Sequence, residues 1–154
     1  MQRRTFLHRL IHLGGALLSI NYGLLWSNLA KAAWPLQSFK TTQFDQIMNE
    51  LFSGVEWIDS DAIKLEKLPT VAENGETVPI KIISSISDSE KIYLLVEKNP
   101  YPLIAVFHLS NQVAPIVSAR FKMAESSLVW IIVQAQGQFY RQSVFVKVTQ
   151  GGCG

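Results

Sequence analysis

Cysteine is nearly absent from this sequence, since Cys153 is the only one among 154 residues. A chain with a single thiol forms no internal disulfide, so this cysteine indicates a reactive thiol or pairing with another molecule. Histidine is also scarce: His108 is the only one after residue 32, which excludes a histidine cluster as a zinc site. The sequence lacks a glycine-rich phosphate loop and a Ser-His-Asp set, so it predicts no enzyme, no metal and no other cofactor.

Acidic residues are missing from the first 32 positions, which hold the four basic residues Arg3, Arg4, Arg9 and Lys31. The formal net charge of +2 therefore misrepresents the remainder, which has 10 basic against 12 acidic residues, a net charge of −2. A remainder without a basic stripe excludes nucleic acid as the partner. Because 48% of the residues are hydrophobic and 17% are charged, the chain has enough apolar material for a folded core.

The first 32 residues have the three-part organisation of a signal peptide. Arg3 and Arg4 precede Thr-Phe-Leu, a weakly polar stretch runs over residues 13–29, and the small-residue pattern Ala30-Lys31-Ala32 follows. A positive segment, an apolar segment and a small-residue site in this order predict export and cleavage. The paired arginines resemble a twin-arginine signal, so we expect the protein to be exported to the periplasm by that pathway.

An uncleaved membrane anchor is the alternative interpretation of this leader. Its weakly polar stretch has about 17 residues and contains glycine, serine and asparagine, whereas a spanning helix needs about 20 apolar residues. We therefore expect cleavage, a mature chain that begins at Ala33 or Trp34, and no stable association with the membrane afterwards.

A short helix is predicted at the start of the mature chain. Its apolar residues follow the i, i+3, i+4, i+7 spacing of one buried face; they are Phe44, Ile47, Met48 and Leu51. We expect Thr42 to cap the N-terminus of this helix and Gly54 to terminate it.

After the helix, the spacing of apolar residues changes to that of strands. Seven short segments follow at intervals of about 10 to 15 residues; they are Ile63–Leu68, Val78–Ile86, Ile92–Val96, Leu103–Leu109, Ile116–Met123, Leu128–Gln136 and Phe139–Val148. Turn residues separate them at Asn74-Gly75, Asp88-Ser89 and Gly137. Since no helices alternate with the strands, a parallel sheet is not expected. The pattern predicts an all-β fold, an immunoglobulin-like antiparallel β-sandwich over residues 33–148 that includes the short N-terminal helix.

The segment Leu128–Val133 departs from the alternation of a strand with one face in water, because all six residues are apolar. One interpretation is that the early helix or a loop covers its outer face. The other is that a partner subunit covers it, which would place the strand in a heterodimer interface. The sequence leaves both open.

The C-terminal segment presents the single thiol between small residues. Gly151 and Gly152 precede Cys153, and Gly154 follows it. Glycine accepts almost any backbone angle, so these residues place the thiol on a flexible arm. A cysteine next to the last residue cannot be the buried core cysteine that a lone cysteine usually is.

The predicted arm, residues 149–154, has the reach of a tethered carrier. If the last strand ends at Val148, five residues carry the sulfur roughly 16 Å from the fold at about 3.3 Å each. We expect Gln150 to Gly154 to be disordered in the free protein. The nearest base in sequence is Lys147, so we expect an ordinary thiol that a partner enzyme activates. One tethered group that visits several active sites indicates a carrier rather than an enzyme.

A set of short motifs accompanies the terminal Gly-Gly-Cys-Gly sequence. They are the twin-arginine leader, Ala72-Glu73-Asn74-Gly75, Val78-Pro79, Asn99-Pro100, Lys122–Ser127 and Lys147–Gly154. With these motifs, most of the chain resembles the SoxY family, the substrate-carrier subunits of the bacterial thiosulfate-oxidising (Sox) system. The family's tail usually ends Gly-Gly-Cys-Gly-Gly, and this chain has one terminal glycine fewer.

The resemblance implies an immunoglobulin-like fold and a heterodimer with a SoxZ-like subunit. It also implies that thiosulfate-derived sulfur is attached covalently to Cys153. In the family, partner enzymes attach the substrate oxidatively, release sulfate by hydrolysis and oxidise the sulfur that remains. The predicted function is therefore that of a periplasmic sulfur carrier that presents intermediates on Cys153 to the Sox enzymes and turns nothing over itself.

Two other classes of protein are alternatives. Some sulfur carriers end in Gly-Gly and hold sulfur as a C-terminal thiocarboxylate, but they are activated by ATP, which the periplasm lacks, and here a cysteine interrupts the tail. The second alternative is a non-catalytic exported β-sandwich interaction module with an incidental tail cysteine. It accounts for the fold and leaves the Gly-Gly-Cys-Gly tail unexplained.

Overall fold

The structure, a computed structural model, describes residues 36–110 and 112–151. This part of the chain forms one helix and nine strands. They are α1 Phe44–Phe52, β1 Trp57–Asp59, β2 Ile63–Glu66, β3 Val71–Asn74, β4 Val78–Ser84, β5 Ser89–Val96, β6 Leu103–His108, β7 Ile116–Phe121, β8 Ser127–Ala135 and β9 Gln138–Gln150. The predicted leader with Arg3 and Arg4 lies outside the described residues.

The strands form two sheets. The larger has the order β1-β9-β8-β5-β6, with β3 also paired to β9, and the smaller has the order β2-β4-β7. The prediction of an all-β sandwich with a short N-terminal helix is confirmed.

Two pairings in the larger sheet differ from the predicted antiparallel arrangement. Strands β1 and β3 run parallel to successive parts of β9, with Trp57 opposite Phe139 and Val71 opposite Lys147. The seven predicted strands did not include these two, because segments of three or four residues are too short to show a clear alternation.

The main core lies between the two sheets, where every second residue of β4 points inward. Val78, Ile80 and Ile82 of β4 are at most 1% exposed, and they pack against inward residues of β5 and β8. The core cluster consists of Ile63, Ala72, Val78, Ile80, Ile82, Ile92, Leu94, Val96, Phe121, Met123, Val129, Ile131, Val133 and Val146.

A second cluster lies on the outer face of the larger sheet, where α1 covers β5 and β8. Ile47 of the helix and Ile132 of β8 are both fully buried there, and the rings of Phe44 and Trp130 are 6.0 Å apart. The apolar outer face of β8 is thus covered by this chain's own helix. The interpretation in which the early helix covers this face is therefore confirmed for Ile132 and, in part, for Trp130, and their burial needs no partner subunit.

The ends of α1 agree with the prediction at one terminus. The N-cap is Gln43, which makes no side-chain capping bond, so the assignment of Thr42 as cap is wrong by one residue. At the other terminus Gly54 has a φ of +71°, a left-handed conformation that favours glycine and stops the helix. Within the described residues, no helix has the length and apolarity that crossing a membrane requires.

The predicted turns are confirmed. Gln136 and Gly137 both have positive φ angles, as the two central residues of a tight hairpin between β8 and β9 require. Asp88 has a φ of +54° just before β5 begins. The side-chain oxygen of Asn74 accepts a hydrogen bond from the amide of Glu76 at 2.7 Å, which closes the turn between β3 and β4.

Candidate functional site

The last strand continues closer to the predicted thiol than the sequence indicated. Strand β9 extends to Gln150 rather than Val148, since Gln150 pairs with Asn74 at the end of β3. Its carbonyl oxygen also accepts a hydrogen bond from the amide of Gly75 at 2.8 Å. The prediction that Gln150 is disordered is therefore wrong, because β3 supplies hydrogen-bond partners that sequence inspection did not find.

Several segments that are distant in sequence meet where β9 ends. We call this junction the tail root, and it consists of Gly75, Asn99, residues 122–126 and residues 148–151. Gly75 links two of its parts, because its amide donates to Gln150 and its carbonyl oxygen accepts from the amide of Met123 at 2.7 Å. The end of β9 is thereby tied through one turn to the loop between β7 and β8.

The side chain of Asn99 holds that loop in place. Its Nδ2 donates a hydrogen bond to the carbonyl oxygen of Lys122 at 2.7 Å, and its Oδ1 accepts one from the amide of Ala124 at 2.9 Å. Asn99 is 5% exposed, so these backbone groups gain partners at a site from which water is largely excluded. The side-chain amide of Asn99 thus fixes the backbone of residues 122–124.

Ser126 and Thr149 add side-chain hydrogen bonds to the tail root. The amide of Val148 donates to the hydroxyl oxygen of Ser126 at 2.9 Å, and that hydroxyl donates to the carbonyl oxygen of Val148 at 3.3 Å. The hydroxyl of Thr149 donates to the carbonyl oxygen of Ala72 at 3.2 Å. Strand β9 is therefore held from both sides just before it ends.

Gly151 follows β9 and lies close to the backbone of the loop that Asn99 holds. A Cβ atom added at Gly151 would overlap the carbonyl oxygen of Ala124. The overlapping atom belongs to the backbone, so no side-chain rotation could relieve the contact. Only glycine therefore fits at position 151, because the two backbone segments approach each other closely there.

The charged groups around the tail root are exposed. Lys98 and Glu125 lie 3.9 Å apart with more than half of each side chain in water, so this pair contributes little to stability. A pKa shift with a clear structural cause lies elsewhere: the pKa of Asp59 is lowered chiefly by a hydrogen bond from Arg141 at 2.7 Å. The Arg141 guanidinium also lies over the rings of Trp57 and Trp130, at 5.5 and 5.9 Å from their centroids.

A cavity of about 240 Å³ opens at the other end of β4, away from the tail root. Its polar lining consists of serine hydroxyls and the Asp88 side chain, with no lysine or arginine among the lining residues. The hydroxyls of Ser84 and Ser89 already bond each other at 2.9 Å. This cavity is poorly suited to a thiosulfate dianion. Among the described residues, no group of three or more His, Cys, Asp or Glu residues is placed to hold a metal ion.

The structure places the sequence-predicted site residues unequally. Gly151 is described and exposed, whereas Gly152, Cys153 and Gly154 lie outside the described residues. Sequence inspection did not predict that Gly75, Asn99 and Ser126 would come together in the tail root. The available signal was that the separate motifs around these residues occurred together with the Gly-Gly-Cys-Gly ending.

Comparisons with known proteins show which family the chain belongs to. The family model described as sulfur oxidation protein SoxY matches residues 48–153, a span that includes all of β1 to β9 and ends at Cys153. The solved structure of the sulfur carrier protein SoxY from Chlorobium limicola f thiosulfatophilum is 34% identical to this chain, with a TM-score of 0.62. The match covers 70% of this chain and 96% of that one. The comparison with curated proteins gives no match. Since the family model matches more than half of the sequence, the chain belongs to the SoxY family of sulfur oxidation proteins.

Proposed function

We propose that the protein is a sulfur carrier that holds thiosulfate-derived intermediates on Cys153 and presents them to partner enzymes. The observation that carries the proposal is the tail root, where hydrogen bonds to Gly75 and Ser126 hold the end of β9. Four residues follow Gln150, and the single cysteine of the chain is one of them. Membership of the SoxY family supports the same role, because the matched span ends at that cysteine.

The carrier chemistry begins with formation of a disulfide bond. The sulfur of Cys153 joins the outer sulfur of thiosulfate, the thiol proton is released, and two electrons pass to an oxidant held by a partner enzyme. Hydrolysis then breaks the bond between that outer sulfur and the sulfonate group, which leaves as sulfate with an oxygen from water. A persulfide remains on Cys153. Partner enzymes oxidise it further, and a second hydrolysis restores the free thiol.

In this scheme the protein contributes position rather than catalysis. The tail tethers the bound sulfur, and a tethered group has a higher effective concentration at each active site than a diffusing intermediate. The thiol needs no activating group of its own, because the oxidant and the hydrolytic water are supplied by the enzymes. No cofactor of this chain takes part in the scheme, and the protein itself is not an enzyme.

The proposed location is the periplasm, after export of the folded chain through the twin-arginine pathway. The support is the leader with Arg3 and Arg4 ahead of an apolar stretch and a small-residue site. Replacing both arginines with lysine should keep the protein in the cytoplasm, whereas Arg9→Lys should not. Cell fractionation measures both, and export of the double variant at the normal level would contradict the proposal.

A SoxZ-like subunit is the proposed partner. The surface of this chain that binds it has to differ from the part of β8 that α1 covers. Phe145 of β9 and Val71 of β3 are 57% and 51% exposed. They lie on adjoining strands near the tail root, because Val71 pairs with Lys147, two residues beyond Phe145. Exposed apolar side chains grouped in this way are typical of interaction surfaces.

The experiment that tests the carrier function is loading of the purified protein. Wild type and Cys153→Ser are incubated with thiosulfate and the enzyme that attaches it, and the intact mass of each is measured. We expect the wild type to gain the mass of the attached group and the variant to gain none, with equal melting temperatures. A gain of mass by Cys153→Ser would refute the assignment of the attachment site.

A further inference from the structure

We propose that Gly151 is held rigidly as part of the tail root and does not serve as a hinge of the arm. The inference rests on the contact between Gly151 and the carbonyl oxygen of Ala124, for which a Cβ leaves no room. It deepens the proposed carrier function by fixing where the thiol leaves the fold. Its structural part is testable without any sulfur chemistry.

The Ala124 side of this contact cannot easily withdraw. The amide of Ala124 donates to the Asn99 side chain, and the neighbouring Met123 donates to the carbonyl oxygen of Gly75. Met123 is itself fully buried in the main core. A shift of the Ala124 carbonyl would therefore disturb both hydrogen bonds and the packing of a core side chain.

The Gly151 side is equally constrained by what precedes it. Gln150 pairs with Asn74 and accepts a hydrogen bond from Gly75, while Val148 is bonded to Ser126. Gly151 thus follows the end of β9, which is bonded to the turn of Gly75. The same turn also holds the loop that contains Ala124. Relief of an added Cβ would require the two backbone segments to separate, and the Gly75 to Gln150 hydrogen bond would be lost first.

A fixed Gly151 shortens the reach of the thiol. Cys153 lies two positions beyond Gly151, which allows at most about 7 Å between their Cα atoms. The free arm that was expected to begin at residue 149 would reach about twice as far. A loading enzyme must therefore bring its active site close to the tail root itself. The exposed side chains of Asn74, Lys122 and Glu125 would then contact each enzyme at the edge of its active site.

The test compares Gly151→Ala with Gly152→Ala, a matched substitution one residue farther along. Hydrogen exchange at the amide of Gly75 reports on the tail root, because that amide bonds to Gln150. Exchange at the amide of Leu94 in buried β5 reports on global unfolding. We expect Gly151→Ala to accelerate exchange at Gly75 by about ten-fold or more and to leave Leu94 unchanged. We expect Gly152→Ala to change neither.

A second measurement follows the thiol directly. A nitroxide label on Cys153 and another on an introduced Ser118→Cys, at an exposed position of β7, give a distance distribution by pulsed electron resonance. Gly151→Ala should broaden this distribution, and Gly152→Ala should leave its width unchanged. Unchanged width and unchanged Gly75 exchange in Gly151→Ala would overturn the proposal, as would equal effects of both substitutions.

Enzymatic loading gives the functional readout. Gly151→Ala should be loaded more slowly than Gly152→Ala, although a small disulfide reagent should react with Cys153 at the same rate in both. If even the wild type is not loaded, the carrier function fails while the exchange and distance results still decide the role of Gly151. Equal loading of both variants would show that the tail root does not guide delivery.

Discussion

The amide of Gly75 donates a hydrogen bond to the carbonyl oxygen of Gln150, the last residue of β9, at 2.8 Å. Gly75 lies in the turn after β3, and the two residues are separated by half the length of the chain. The contact joins the Asn74-Gly75 turn to the start of the cysteine-bearing tail. It gives the turn a role beyond chain reversal, because the turn fixes the point from which the tail departs.

Asn99 is expected to be important for the stability of the tail root. In Asn99→Ala, the carbonyl of Lys122 and the amide of Ala124 lose their partners, which should lower the free energy of unfolding by about 1–3 kcal/mol. Asn49→Ala, at an exposed position of α1, should change it by less than about 0.5 kcal/mol. Urea unfolding of both variants measures the difference. Equal free energies of unfolding for the two variants would contradict the structural role assigned to Asn99.

Ile132 is expected to stabilise the isolated chain, because α1 of the same chain buries it. It is fully buried between β8 and α1, so Ile132→Ala should lower the free energy of unfolding by about 2–5 kcal/mol. Ile116→Ala, at a position that is 49% exposed, should have a much smaller effect. Thermal unfolding of the isolated protein is the measurement. If Ile132→Ala melted at the wild-type temperature, α1 would not cover this face.

The proposed partner surface predicts a different response at Phe145. Because its side chain is largely exposed, Phe145→Glu should leave the melting temperature of the isolated chain close to that of wild type. It should weaken binding of the SoxZ-like subunit by at least about ten-fold, since a charge would replace a desolvated aromatic ring. Ile116→Glu on the smaller sheet is the control and should bind normally. The opposite ranking in a binding titration would place the partner on the smaller sheet.

Tyr93 makes the stability of the fold depend on alkaline pH. The hydroxyl group donates to Oε1 of Gln134 at 3.3 Å, and burial, followed by the charge of Glu90, raises its pKa above the ordinary value of 10.0. The unfolded chain then releases the phenolic proton at lower pH than the folded chain. The contribution of Tyr93 is therefore complete below pH 10.0 and is lost as the pH rises through the folded pKa.

Tyr93→Phe checks this sign. Wild type should lose melting temperature more steeply than Tyr93→Phe between about pH 9 and 11, because the variant has no phenol to ionise. Lysine ionisation affects both proteins alike, so it cancels in the comparison. Parallel curves for the two proteins would mean that the phenol titrates equally in the folded and unfolded states.

Much of the fold could be predicted from the sequence, because the longer strands alternate clearly and the turns carry Asn-Gly or glycine. The short strands β1 and β3 could not, since their three or four residues have no distinctive pattern and depend on β9 for pairing. The cover of Ile132 was left open because periodicity does not say which element packs on a face.

The thiol and the tail root that precedes it were unequally accessible from the sequence. A lone cysteine between glycines is visible by inspection, so Cys153 could be selected directly. Asn99 is about 50 residues away in sequence, and its role depends on tertiary contacts with Lys122 and Ala124. Gly151 shows the same limitation, because a glycine selected for close approach looks identical in sequence to one selected for flexibility.

A single-turnover chase shows whether one tethered cysteine passes sulfur from one enzyme to the next. Protein loaded on Cys153 is separated from free thiosulfate and then given the hydrolytic enzyme alone. We expect release of one sulfate per loaded chain and an intact mass that falls to that of the persulfide on Cys153. A loaded chain that keeps its full mass, or sulfate release without any change on Cys153, would contradict the carrier function.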